Sequence, residues 1–358
     1  MPAHNLSHVS SGTPPEAGAT GTVPTQPRSR TPHSGPARAK PPHSSGPLGS
    51  GPSRSARWRG RGAALAFVTG TAATALTLAG TLPASAAPLA ERGAAQHSSG
   101  VQHYVALGDS YTSGPGIPDQ TDANCARSSN NYPTLSAARI APATFTDVSC
   151  GGATTEHMTA PQGTAPPQFD ALKPETDLVT VGIGGNDIGF GGIVARCLVL
   201  GKLAPYGAPC KASYSLGGTD ALAARIRDNA AKIDEVLRGI HARAPKARVL
   251  VVGYPDLLPE DGTNCPRTVS LAKGDAPWLR DTEKRLNTML AERAARGGAE
   301  YVDTYTPTIG HDMCKPPGTR WVEPLVAVEA TGFHPNAAGH QAMSGALLGA
   351  LDPVGAVR

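Results

Sequence analysis

The chain has 358 residues, with 32 Lys/Arg against 28 Asp/Glu and a formal net charge of +4. The charge is unevenly placed: residues 1–61 hold eight basic side chains and one acid, Glu16, which leaves 24 basic and 27 acidic residues beyond them. The body is therefore mildly acidic and carries no basic stripe, which argues against a nucleic-acid partner.

Residues 1–62 are rich in Pro, Ser, Gly and Arg and nearly free of large apolar side chains. Such a leader cannot bury enough surface to offset its ordering entropy, so disorder is expected there. Residues 63–87 follow with an apolar run behind "RWRGRG", and "ASAA" at 84–87 supplies small residues for cleavage. Basic, apolar and small-residue regions in that order predict a secretory signal peptide and an extracellular protein. The rival is a membrane anchor, since residues 63–82 are nearly long enough to span. The A-S-A site and the polar sequence after it favour cleavage, leaving no span in the mature chain. Residues 88–101 read as a short linker and residues 102–352 as one catalytic domain.

Strands are expected at residues 103–108, 144–149, 177–184, 247–254 and 300–305. Three of these are almost continuous apolar runs, as in strands covered on both faces. Leu222, Ile226, Ala230, Ile233, Leu237 and Ile240 recur at steps of three and four, predicting an amphipathic helix. Leu279, Leu286 and Leu290 repeat the pattern ahead of a closing Gly297, and Asn336 is a good N-cap for a last helix. Alternating strands and helices imply an α/β fold with a parallel sheet, whose functional residues collect beyond the strands' carboxyl ends.

The first strand ends in Gly108-Asp109-Ser110, the second in "CGGATT" with Gly152, and the third in "GIGGNDIGF" with Asn186. Glycine after a strand is commonly a plain turn. Three successive strands that end in glycine beside a small polar group also bring backbone N–H groups close to one point. Acyl transfer needs a nucleophile, a base and donors aimed where negative charge develops. Ser110 can attack, and the N–H groups of Ser110 and Gly152 with the Asn186 amide can meet an oxyanion. The base should be a histidine. His241 and His340 fall within helices and His103 opens a strand, whereas His334, in "GFHPNAAGH", precedes the last helix on a loop.

Those residues resemble the blocks of the SGNH, or GDSL-type, hydrolase family, and the secreted actinomycete lipases and esterases within it. "ALGDSYTSG" matches the first block, "SCGGATT" the second, "GGND" the third and "FHPN" the fifth, over about residues 104–348. The resemblance implies a three-layer α/β/α sandwich, flavodoxin-like, with a five-stranded parallel sheet. It also implies ester hydrolysis through an acyl-enzyme by Ser110 and His334, with an oxyanion hole from Ser110, Gly152 and Asn186. No metal or other cofactor is implied. Many relatives carry Asp three residues before the histidine, but here that residue is Thr331. A backbone carbonyl of Thr331 or Gly332 is then expected to orient the imidazole, with Glu329 as rival.

All six cysteines lie beyond the leader, and an even count in a secreted chain favours disulfides. Nearest-neighbour pairing gives Cys125–Cys150, Cys197–Cys210 and Cys265–Cys314, each stapling a loop region. The segments at 191–218 and 254–278 read as long loops that set the substrate. Dinucleotide, P-loop, zinc-hydrolase and G-x-S-x-G signatures are all incomplete or missing from the mature body. The expected activity is a lipase or esterase working as a monomer on a small ester or lipid. Alternatives are a phospholipase or a carbohydrate acetyl-esterase on the same site, and, in another class, a non-catalytic secreted binding protein.

Overall fold

Two apolar faces alternate along the first strand, and each recruits its own layer of helices. The computed structural model of the protein describes residues 100–352. The leader at 1–62, the signal peptide at 63–87 and all but the last two linker residues lie outside the described residues. The elements in chain order are β1 (His103–Gly108), α1 (Ser110–Ser113), β2 (Gln120–Asp122), β3 (Arg127–Ser128), α2 (Tyr132–Ile140) and β4 (Thr144–Asp147). They continue with β5 (Leu178–Gly182), α3 (Phe190–Leu203), α4 (Pro209–Tyr214), α5 (Ala221–Arg243), β6 (Arg248–Val252), α6 (Asp275–Arg296), β7 (Glu300–Val302) and α7 (Ala337–Leu351).

One five-stranded sheet runs β4-β1-β5-β6-β7, parallel throughout, while β2 and β3 form a small antiparallel ladder. Tyr104 and Ala106 on β1, with Leu178, Leu250, Val252 and Val302, pack under α2 and α7. The intervening Val105, Leu107, Val179, Val181, Val249 and Val251 pack under α5 and α6. This period-two division across one sheet is the α/β/α sandwich, with a core on each side. Each fully buried aliphatic side chain contributes about 1.5–3 kcal/mol to holding the layers together.

Caps fix where the helices start. Asp220 Oδ1 accepts from the N–H groups of Leu222 and Ala223, and Asn336 Oδ1 accepts from Gly339 N–H. The predicted strands and the three long helices occupy their expected places, with strands two or three residues shorter except β1. One expectation is corrected: residues 191–218 are not a long loop. They hold α3 and α4, and the Cys197–Cys210 disulfide joins these two helices rather than two loop arms. The period was hidden because α3 is apolar on nearly every face and is interrupted by Gly191, Gly192 and Gly201. The sulfurs of Cys125 and Cys150, and of Cys265 and Cys314, are also bonded.

In this strand order β1 is flanked by β4 and β5, so the chain reverses direction of progress across the sheet beside β1. Crevices at such reversals, beyond the carboxyl ends, are where open α/β sheets bind ligands. Ser110 follows β1, Gly152 follows β4 and Asn186 follows β5. No helix among the described residues is long and apolar enough to cross a membrane.

Candidate active site

The turn after β1 is built to stand Ser110 at the sheet's edge. Gly108 permits it, because a Cβ there would collide with Thr112 Oγ1 and the Gly182 carbonyl. Asp109 is buried and caps α1 by accepting from the Tyr111 N–H at 2.9 Å. Its second oxygen accepts from the Tyr254 hydroxyl at 2.6 Å, and that hydroxyl in turn accepts from the Gly185 N–H at 2.8 Å. Burial pushes Asp109 up to about 7, against the pull of its bonds from Tyr254 and the Tyr111 N–H. The carboxyl group thus ties β1's turn to the ends of β5 and β6.

His334 arrives from 224 residues away and places its Nε2 2.8 Å from Ser110 Oγ. Its Nδ1 lies 2.8 Å from the Gly332 carbonyl oxygen. A carbonyl only accepts, so Nδ1 carries the proton and Nε2 is left as the acceptor facing the hydroxyl. Of the three orienting groups considered, Gly332 makes this contact. The Thr331 carbonyl accepts the His334 backbone N–H at 3.1 Å instead, and Glu329 is exposed. Burial lowers the His334 pKa from its ordinary value, with the Gly332 carbonyl partly opposing.

The histidine loop is closed at its base. Phe333 N–H donates to the Glu323 carbonyl at 2.7 Å, and Glu323 N–H donates to the His334 carbonyl at 2.9 Å. Phe333 has φ +62°, a conformation that strains a bulky residue by about 1–3 kcal/mol. That turn sends the Phe333 ring into the cavity wall and brings the Gly332 carbonyl under the imidazole. The Arg320 guanidinium meets the buried Glu323 carboxylate with two nitrogens, at 3.1 and 2.9 Å, and fixes the base of the loop.

Gly152 has φ +79°, and Asn186 lines the same cavity as Ser110. The backbone N–H groups of Ser110 and Gly152 take no hydrogen-bond partner among the described residues. One Asn186 amide hydrogen goes to the Ala153 carbonyl at 2.9 Å, holding the side chain beside the Gly152 turn. The second remains available, since a primary amide carries two. Asp187 braces the same turn through Thr155, accepting its N–H at 3.0 Å and its hydroxyl at 2.6 Å.

A cavity of about 80 Å³ opens from Ser110 and Asn186 and is walled by Ile193, Val194, Leu257, Leu258, Leu279 and Phe333, among others. Its lining includes two segments expected to shape the substrate site. It also includes residues that sequence reasoning passed over: Tyr111, Tyr254 and Glu283. Burial pushes the Glu283 carboxyl well above the usual carboxylate range, with Asp256 adding to the rise. A signal for it existed, because Glu283 stands four residues after Leu279 and three before Leu286, on the apolar stripe of α6. Among the described residues no group of three or more His, Cys, Asp or Glu side chains could hold a metal ion.

A hydroxyl and an imidazole are thus paired at the carboxyl edge of a parallel sheet beside an apolar cavity, an arrangement suited to ester hydrolysis. The chain belongs to the GDSL-like lipase/acylhydrolase family, whose model matches residues 106–342, and it is a carboxylic ester hydrolase. It is 42% identical over 249 residues to Lipase 2 of Streptomyces coelicolor, covering 67% of this chain and 83% of that one. Among solved structures it is similar to phospholipase A1 from Streptomyces albidoflavus NA297, at 31% identity and a TM-score of 0.58, covering 69% of this chain and 98% of that one. It is also similar to an extracellular lipase from Streptomyces rimosus, at 32% identity and a TM-score of 0.55, covering 70% and 99%. Family membership sets aside the non-catalytic binding alternative.

Proposed function

We propose that the protein is a secreted serine hydrolase that cleaves lipid or fatty-acyl esters through an acyl-enzyme, with Ser110 as nucleophile and His334 as base. The observation that carries this reading is the 2.8 Å approach of His334 Nε2 to Ser110 Oγ at the mouth of an apolar cavity. His334 takes the hydroxyl proton as Ser110 Oγ bonds to the ester carbon. The carbonyl oxygen becomes an oxyanion, met by the N–H groups of Ser110 and Gly152 and the free Asn186 amide hydrogen. Each such donor is worth about 3 kcal/mol, or 10²–10³ in rate. The imidazolium then protonates the departing alcohol, and water, deprotonated by the same imidazole, releases the acid. The Gly332 carbonyl keeps Nε2 facing the reaction throughout.

The aliphatic cavity favours an acyl chain over the acetyl group of a decorated sugar. Similarity to a phospholipase A1 and to lipases supports the same substrate class. Secretion is supported by the signal pattern at 63–87 and by three disulfides, bonds that persist in oxidising compartments.

The test is a fluorophosphonate probe on the intact protein, with p-nitrophenyl esters from acetate to palmitate and phosphatidylcholine as substrates. Ser110 should carry the label, and Ser110→Ala should lose both label and activity, the latter by about 10⁴-fold or more. Undiminished labelling of Ser110→Ala would refute the assignment.

A further inference from the structure

Eight large apolar side chains stand exposed among the described residues, and all lie on two segments: Val199, Leu203, Tyr206 and Leu216 on one, Ile309, Leu325, Val326 and Val328 on the other. Both segments reach the cavity beside Ser110. The first contains α3, whose Ile193 and Val194 line it; the second contains Met313, also in its wall. A scattered exposed leucine needs no explanation, but a set confined to two segments that also wall one cavity does.

The first segment has a further property. Ile193, Cys197 and Gly201, four apart, form the buried stripe of α3, while Val199 and Leu203 stand on its opposite side. A helix apolar all round is ordinarily covered everywhere, yet Leu203 is 77% exposed and Tyr206, just beyond it, 90%. Charge adds to this. From residue 188 to 219 the sequence holds Arg196, Lys202 and Lys211 and not one Asp or Glu, in a body that is otherwise net acidic. Lys202 and Lys211 are exposed. The lysines that form ion pairs among the described residues are Lys232, Lys284 and Lys315.

The segment is also held firmly. Cys197–Cys210 joins α3 to α4, and the turn between them accepts two backbone hydrogen bonds from below, Lys273 N–H to the Pro205 carbonyl at 2.8 Å and Gly274 N–H to the Gly207 carbonyl at 2.9 Å. Tyr206 is thus presented on a fixed support, with apolar neighbours and basic flanks. Tyrosine and leucine favour the boundary between water and acyl chains, and lysines extend their ammonium groups to phosphates there.

We propose that the α3–α4 element docks the protein on a phospholipid surface bearing anionic headgroups, with Leu203, Tyr206 and Leu216 among the lipids and Lys202 and Lys211 on their phosphates. The cavity mouth then faces the substrate's acyl chains; this last point rests on the ester-hydrolase reading of Ser110.

Vesicle flotation of the intact protein carrying Ser110→Ala measures docking without hydrolysis. Mixed phosphatidylglycerol–phosphatidylcholine vesicles should be bound, and phosphatidylcholine alone much more weakly. Adding Lys202→Glu and Lys211→Glu should weaken binding to the mixed vesicles about thirtyfold or more, and Leu203→Ser with Tyr206→Ser by about tenfold or more. With Ser110 restored, both double variants should keep kcat/KM on p-nitrophenyl acetate, showing an intact fold and site. Equal binding to both vesicle types, or binding insensitive to both pairs of changes, overturns the proposal. So does loss of binding in Val326→Ser/Val328→Ser but not in the α3–α4 variants, or a dimer that Leu203→Ser/Tyr206→Ser dissociates. If the protein with Ser110 intact floats as expected but cleaves no ester, the docking inference stands and the catalytic reading falls.

Discussion

The Tyr111 hydroxyl donates to the Phe333 carbonyl oxygen at 2.5 Å, linking the residue after the proposed nucleophile to the residue before the proposed base. The Tyr111 ring also lies 5.0 Å, centroid to centroid, from the His334 imidazole and packs edge-on to Tyr254 at the same separation. Tyr111 therefore acts as a positioning residue between two loops that meet only in the folded chain.

Tyr111→Phe keeps the ring and removes the tie. It should lower kcat by about tenfold to a hundredfold, the scale of sub-ångström to ångström misplacement, with KM little changed. Steady-state kinetics on a short p-nitrophenyl ester would show it. Equal losses in kcat and in thermal stability, with full activity regained on cooling, would mark a merely structural bond.

The pH profile follows from His334. Burial lowers its pKa from 6.5, so the neutral, proton-accepting form persists to lower pH than for an exposed histidine. kcat/KM should rise with pH through a midpoint below 6.5 and then level off. A midpoint well above 6.5 would contradict the buried neutral base.

Glu329 is exposed, and Nδ1 is taken up by the Gly332 carbonyl. Glu329→Ala should leave kcat within about twofold of the parent, as surface changes away from such features do. A thousandfold fall without unfolding would reinstate the acid as the orienting group.

The Cys125–Cys150 disulfide ends one residue before Gly151, whose N–H donates to the Cys125 carbonyl at 2.8 Å. Replacing both cysteines by serine should cost about 3 kcal/mol of stability from loop closure. It should also lower kcat, because the Gly152 amide loses its anchor. The Cys265→Ser/Cys314→Ser pair, farther from that turn, should reduce stability with a smaller effect on kcat. Denaturant melts read beside kinetics would separate the two contributions.

Much of this was legible in the residues. The strands announced themselves because both faces are covered, so Val105, Leu107, Val179 and Val181 read as unbroken apolar runs. Ser110, Gly152, Asn186 and His334 stood out because each follows a strand or precedes a capped helix; His334 meets Ser110, and Asn186 lines the same cavity as Ser110. Helix α3 stayed hidden, since a segment apolar on most faces has no period to detect and its glycines read as loop, and α4, six residues long, is too short to show one. The choice between the Thr331 and Gly332 carbonyls was also closed to sequence, because it turns on the positive φ of Phe333, which no side-chain pattern announces for a phenylalanine. Tyr254 enters the site through tertiary packing, whereas Glu283 had a signal in its place on the apolar stripe of α6.

Where an acid side chain orients a histidine, one codon change can delete it. A carbonyl oxygen comes with every amino acid, so no substitution at position 332 can remove the acceptor; it can only be swung away by rerouting the main chain. Mutational vulnerability is thereby transferred from the orienting position to the struts that shape the loop, Arg320, Glu323 and Phe333, and inactivating lesions in this part of the protein should gather there.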